Sequence, residues 1–228
     1  MRHFRESYIA LYGGSFDPPH YAHRQILKTL YKSPLFHHVI CMPNYLNPLK
    51  ESALFSPLER FEMCKILAAD VLNTDMSNDT KVLDSKAMPG FGTLEVSDYE
   101  IMQNKPTFSI HTIKMLQHTY PRTPLAIVVG EDNFAHLHVW HKIDKLCEIA
   151  AFVVIGRDIK SCASIHTIKP KKPAHKPKAR ILERIHLSQY GELSSTQVRA
   201  LLQNGQFEQA LEMIPASLHT FIKAHFRL

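Results

Sequence analysis

Residues 11–27 read "LYGGSFDPPHYAHRQIL". Two glycines, Gly13 and Gly14, are followed by Ser15, by two prolines, and then by His20 and His23, three positions apart. Glycine backbone admits a ligand closely, a serine offers a hydroxyl, and each imidazole can donate an N–H. That set suits a phosphate. At a spacing of three, both histidines project to one side of a helix, and the helix start adds its own free N–H groups. A second stretch, "LSSTQVR" at 193–199, places Ser194, Ser195 and Thr196 just ahead of Arg199. Hydroxyls, helix-start N–H groups and an always-charged guanidinium can together grip a di- or triphosphate. Either stretch alone also reads as a plain strand–turn–helix or an ordinary helix cap. A metal held by His20 and His23 alone is disfavoured, because a closed site needs more ligands.

These groups need elements to position them. "YIALYGG" (8–14) predicts a buried strand, and "YAHRQILKTLYK" (21–32) a helix with Ile26, Leu27, Leu30 and Tyr31 on one face. "HHVICMPN" (37–44) predicts a second strand stopped by Pro43. "SPLERFEMCKILAADVL" (56–72) predicts a helix, with Ser56 as N-cap, Pro57 at the first helical position and Glu59 completing a capping box. "KVLDSKAM" and "GTLEVSDYE" predict short strands. "TFSIHTIKMLQHTY" (107–120) predicts a helix capped by Thr107 or Ser109. Two further strands follow, "PLAIVVGED" (124–132) and "EIAAFVVIGRD" (148–158), and "ARILERIHLS" (179–188) holds a last one. "SSTQVRALLQNG" (194–205) predicts a helix with an Asn-Gly stop, and two short helices end the chain. Continuous apolar strands alternating with helices predict an α/β fold, a doubly wound parallel sheet covered on both faces, with a small C-terminal helical part. In such sheets ligands sit at the carboxyl ends of the strands, where "GGSFDPPHYAH" falls.

The totals agree. The chain has 228 residues, 45% of them hydrophobic, enough for one sizeable core. No apolar run is long enough to span a bilayer, and the N-terminus reads as the lead-in to the first strand, so no membrane partner is expected. Four cysteines, Cys41, Cys64, Cys147 and Cys162, form no CxxC pair, which predicts a reduced, cytoplasmic setting. The formal charge of +6 fits an anionic ligand. "IKPKKPAHKPKAR" (168–180) predicts an exposed basic loop. It has no aromatic residue for stacking on single strands, so no nucleic acid is expected. The sequence leaves homo-oligomer formation open.

The two motifs, in this order, resemble those of the nucleotidylyltransferase superfamily, GGxFxPxHxGH and [IL]SSTxxR. Most of the chain is similar to bacterial nicotinate-nucleotide adenylyltransferases. The family's PN…P-H-K loop reads "PNYLNPLK" (43–50), its SYT helix start reads "TFS" (107–109), its G-x-D strand end reads "GED" (130–132) with Trp140 downstream, and its later arginine is Arg157. Phosphopantetheine adenylyltransferases share both outer motifs but are shorter. The resemblance implies a single Rossmann-like domain over 1–228. It implies transfer of the adenylyl group of ATP to nicotinate mononucleotide, with Mg²⁺ bound mainly through the ATP phosphates. It assigns Gly13, Gly14, Ser15, Phe16, His20, His23, Gly130, Asp132, Ser194, Ser195, Thr196 and Arg199 to ATP. It assigns Ser15, Lys50, Thr107, Phe108, Ser109, Trp140 and Arg157 to the nicotinate nucleotide. His20, His23, Lys50 and Arg199 would carry the catalytic charge neutralisation, and no protein metal site is implied. A helix start near Thr107 would favour a carboxylate over an amide, and Trp140 offers a flat face to a pyridine ring.

Three positions depart from the pattern. Ala22 replaces a glycine and could crowd the phosphates, Leu49 replaces a histidine, and Phe108 replaces a tyrosine. Other readings are a related enzyme with nicotinamide mononucleotide or phosphopantetheine as acceptor, and an inactive nucleotide- or RNA-binding paralogue. The HxxH element is also similar to class I aminoacyl-tRNA synthetases, but no KMSKS-like loop is present. His136, His138 and His141 could be read as a zinc site. A loop beside the active site is the better reading, because no carboxylate or thiolate ligand is evident nearby.

Overall fold

The computed structural model describes residues 7–48, 52–76, 92–157, 177–187 and 189–227. Six strands form one parallel sheet: β1 (Tyr8–Gly14), β2 (Phe36–Pro43), β3 (Thr93–Val96), β4 (Leu125–Gly130), β5 (Ala150–Arg157) and β6 (Ile181–Leu187). Their spatial order is β3-β2-β1-β4-β5-β6. The chain therefore works outward from β1 in one direction, then returns and builds the other way from β4. The crevice that such a reversal of strand order creates lies between those two strands. The register shows it opening: β1 pairs with β2 as far as Gly14↔Pro43, but with β4 only from Ile9↔Leu125 to Leu11↔Ile127.

Both faces of the sheet are covered. Along β1 the side chains alternate, Tyr8, Ala10 and Tyr12 to one cluster and Ile9 and Leu11 to the other. The first cluster packs against α1 (Tyr21–Lys32) and α2 (Pro57–Met76), and against the C-terminal helices α7 (Ser195–Gln203), α8 (Phe207–Glu212) and α9 (His219–Phe226). The second packs against α4 (Ser109–Thr119) and α6 (Ile143–Ile149). Two shorter helices follow: α3 (Tyr99–Met102) lies against β2, and α5 (Glu131–Ala135) against β4 and β5.

Local sequence accounts for several boundaries. The Ser56 hydroxyl accepts from the Glu59 N–H at 3.3 Å, and the Glu59 carboxylate accepts from the Ser56 N–H at 2.8 Å, the predicted capping box. Gly205, in left-handed backbone at φ 73°, turns the chain away just past the end of α7. Arg24 of α1 is ion-paired to Asp70 of α2 and donates to the Thr74 hydroxyl at 2.7 Å, which fixes the helix bearing both histidines.

Some expectations need correction. α4 has Phe108, not Thr107 or Ser109, at its N-cap, with no side-chain cap bond; the Thr107 hydroxyl donates to the Lys105 carbonyl instead. The strand ending in "GED" stops at Gly130, because Glu131 and Asp132 already belong to α5. The tail of "GTLEVSDYE" turns into α3, and Glu148 and Ile149 end α6 rather than opening β5. "KVLDSKAM" lies outside the described residues, as does most of the Lys-Pro segment.

Candidate active site

The loop leaving β1 is tightly folded. Its left-handed residue is Phe16, at φ 47°, and not either glycine. The Phe16 ring folds back so closely that a Cβ on Gly14 would meet it at 3.1 Å. A side chain at Gly14 would therefore require the Phe16 ring to give way by a few tenths of an ångström. The ring is 1% exposed and wedged edge-on between Tyr12 and His23, at 5.3 and 5.0 Å. Phe16 therefore acts as packing under His23, and only its backbone can meet a ligand.

His20 is the N-cap residue of α1, and its ring lies 3.9 Å from that of His23. The His20 backbone N–H donates to Nδ1 of His23 at 3.1 Å. An accepting Nδ1 carries no proton, so the proton of the neutral ring is on Nε2. The helix start thus fixes the His23 tautomer and leaves Nε2–H as the donor. Ala22 packs into the first core cluster, so its methyl group is buried.

The second motif arrives at the same loop from the far end of the chain. Ser194 caps α7, accepting from the Gln197 N–H at 3.3 Å, while the Ser194 N–H donates to the Gln197 side chain at 2.9 Å. The Ser195 hydroxyl donates to the Pro18 carbonyl at 3.0 Å. Arg199 donates to the Asp17 carbonyl at 2.7 Å and to the Thr196 hydroxyl at 3.0 Å, with the Asp17 carboxylate at 3.5 Å. Two helix starts and one guanidinium so converge on Asp17–Pro18, at the carboxyl end of β1. Helix starts carry partial positive charge, which in general favours anions.

Sequence reasoning missed two residues that hold this assembly. Asp17 is 1% exposed, and its carboxylate accepts from the backbone N–H of Leu54 at 3.1 Å and of Phe55 at 2.9 Å. Arg60 is fully buried on α2 and donates to main-chain carbonyls of the loops after β1 and β2. A signal was present for Arg60: it lies on the same helix face as Met63, Cys64 and Leu67, all 0% exposed. Burial lowers the affinity of its guanidinium for the proton, and the facing Asp17 and Cys64 oppose that effect.

Gly130 ends β4 across the crevice from β1, and among the described residues no heavy atom beyond its chain neighbours lies within 4 Å of a Cβ built there. Asp132 is exposed in α5, where its carbonyl accepts from Nδ1–H of His136 at 2.7 Å. At the start of α4, Phe108 stacks on His141 at 4.6 Å, which brings Thr107, Phe108 and Ser109 beside the segment that carries Trp140. Trp140 is half-buried against the second core cluster. Glu100 of α3, almost buried, accepts from the Thr112 hydroxyl of α4 at 2.5 Å. Burial pushes the Glu100 carboxyl up to about 7, although the Thr112 bond opposes the rise. Lys50 and Leu49 lie outside the described residues, and so does the side chain of Arg157 at the end of β5. Among the described residues, no three His, Cys, Asp or Glu side chains gather as a metal site, and no helix is long and apolar enough to cross a membrane.

Comparison with known proteins places this geometry. The cytidylyltransferase-like family model matches residues 11–201, spanning both motifs. A probable nicotinate-nucleotide adenylyltransferase of Helicobacter hepaticus is 41% identical over 96% of both chains. One from a Shewanella species is 29% identical over 92% of this chain and 94% of its own. In three dimensions, Plasmodium falciparum nicotinic acid mononucleotide adenylyltransferase, solved with NaAD, overlays with a TM-score of 0.68 at 20% identity, covering 98% of this chain and 97% of its own. At that identity the overlay speaks for the fold, while the sequence matches speak for the lineage. The chain belongs to the nicotinate-nucleotide adenylyltransferase family, within the cytidylyltransferase-like enzymes.

Proposed function

We infer that the protein transfers the adenylyl group of ATP to nicotinate mononucleotide, giving deamido-NAD and pyrophosphate. The observation that carries this reading is the meeting of the two motifs, with Arg199 and Ser195 hydrogen-bonded to Asp17 and Pro18 beside the His20–His23 helix start. In the reaction a phosphate oxygen of the mononucleotide attacks the α-phosphorus of ATP. A P–O bond forms there as the bond to the β-phosphate bridging oxygen breaks, and pyrophosphate leaves. The attacking phosphate is already anionic at neutral pH, so no general base is needed. The protein's work is then positioning and charge neutralisation.

His23, donating through Nε2, and His20 serve the ATP phosphates in this reading. The α7 start with Arg199 serves the β- and γ-phosphates, and Lys50 adds charge on the acceptor side. Gly130 and Asp132 suit the adenosine ribose, a diol facing a carboxylate. Thr107, Phe108, Ser109, Trp140 and Arg157 suit the nicotinate nucleotide. Mg²⁺ fits as an ion carried by ATP and water, because the assigned phosphate partners include no carboxylate, the side chain that ordinarily binds this ion. A cytoplasmic location fits the free thiols of Cys41, Cys64 and Cys147. Incubation with ATP, Mg²⁺ and nicotinate mononucleotide tests the reading. Deamido-NAD and pyrophosphate should accumulate in equal amounts, and ATP consumption without a dinucleotide would contradict it.

A further inference from the structure

We propose that Arg60 is a positioning residue for adenylyl transfer, fixing the loop after β1 against the loop after β2 and so setting the acceptor against the ATP phosphates. This rests on the reaction inferred above. Arg60 is 0% exposed and so cannot itself touch a substrate. Its Nη1 donates to the Ser15 carbonyl at 2.7 Å and to the Asn44 carbonyl at 2.8 Å. The Asn44 side-chain oxygen lies 3.4 Å from the same nitrogen. Nη2 donates to the Tyr45 carbonyl at 2.5 Å, and Nε to the Phe55 carbonyl at 3.2 Å. One rigid fork thus joins three segments: the phosphate loop, the loop leading toward Lys50, and the entry to α2.

The chemistry of the position argues for more than stability. A cation among Met63, Cys64 and Leu67 is costly to bury, and an apolar side chain would pack that helix face without the cost. The guanidinium is retained where loop carbonyls at the ends of two neighbouring strands need donors. Only a planar fork reaches them together; an ammonium places all its donors on one atom. The backbone of Phe55 is held on both sides: its carbonyl accepts from Arg60 and its N–H donates to Asp17. Asp17 in turn carries Arg199. Arg60 is therefore linked by hydrogen bonds to both phosphate-binding motifs.

Arg60→Lys and Arg60→Met, compared with the wild-type chain, test the proposal. The readouts are thermal midpoint, kcat and KM for ATP and nicotinate mononucleotide, and amide exchange of residues 12–18 and 43–48. Arg60→Lys should fold and lose roughly tenfold or more in kcat, with KM for ATP changed less than kcat, as expected when reacting groups are misplaced. Its two loops should exchange faster while β4 and β5 keep wild-type protection. Arg60→Met should show the same pattern more strongly. Wild-type kcat and loop exchange in Arg60→Lys would overturn the proposal. So would an Arg60→Lys chain that fails to fold, or one whose exchange rises uniformly across the sheet, since either makes Arg60 a structural residue only. If the wild type forms no deamido-NAD, the inferred reaction falls, and loop exchange alone decides whether Arg60 holds the two loops.

Discussion

His23 is held through Nδ1 by the His20 backbone N–H, which puts the proton of the neutral ring on Nε2, the donor assigned to a phosphate in the function proposed above. Replacing it with alanine removes that donor and an acceptor at the start of α1. We expect His23→Ala to lower kcat by roughly 10²–10³-fold, and to lower stability by only about 1 kcal/mol. Steady-state kinetics beside a thermal melt separate the two effects; near-normal turnover in a folded variant would remove His23 from the phosphates. The histidine pair, the serines and Arg199 were legible because their residue types and spacing carry the chemistry. Asp17 was not, because its partners are main-chain groups of a distant segment, which no spacing reveals; Arg60 could be placed on the apolar face of α2 by its spacing, but its partners in the loops after β1 and β2 could not. The same holds for Phe16, whose motif position suggested a ligand contact while its ring is buried beneath His23.

At the scale of elements, the start of α4 is coupled to α3 through the Glu100–Thr112 hydrogen bond. The Glu100 carboxyl titrates at about 7 in the folded chain against an ordinary 4.5. The raised value means that the protonated form favours folding. Its stabilisation is complete below about 4.5 and is lost as the pH rises through 7. Glu100→Gln should therefore match the wild type near the acid end and exceed it in stability above neutrality, by at most ~3 kcal/mol. Urea unfolding at about pH 5 and about pH 8 checks this; a difference that stays constant with pH would contradict it. Element boundaries were legible where a cap or a glycine marks them. β1, α1 and the capped ends of α2 and α7 match the expectation. The short helices α3, α5 and α6 were missed, because four to seven residues are too few to display a 3.6-residue period. The start of α4 was misplaced because no side chain caps it.

For the whole molecule, the parallel sheet was legible from apolar strands alternating with helices, but the strand order was not, because periodicity says nothing about neighbours. The order matters most for function, since it opens the crevice between β1 and β4. The C-terminal helices share the core of the sheet: Ala210, Leu211, Ile214, Leu218 and Ile222 lie in one cluster with Tyr8, Leu27 and Leu67. Truncation after Gln206 should thus abolish cooperative unfolding of the whole chain, with Trp140 fluorescence, the signal of its single tryptophan, failing to show a native-like transition. A truncated chain that melts cooperatively would make those helices an appendage.

The most direct measurement of the central claim is kcat/KM for pyrophosphate release from ATP and Mg²⁺ with nicotinate mononucleotide, nicotinamide mononucleotide and phosphopantetheine as acceptors. We predict that nicotinate mononucleotide is preferred by roughly 10²-fold or more, because an amide or a thiol-bearing chain leaves donors at the α4 start unmatched. Equal or better use of either alternative, or no release with any acceptor, would contradict the account.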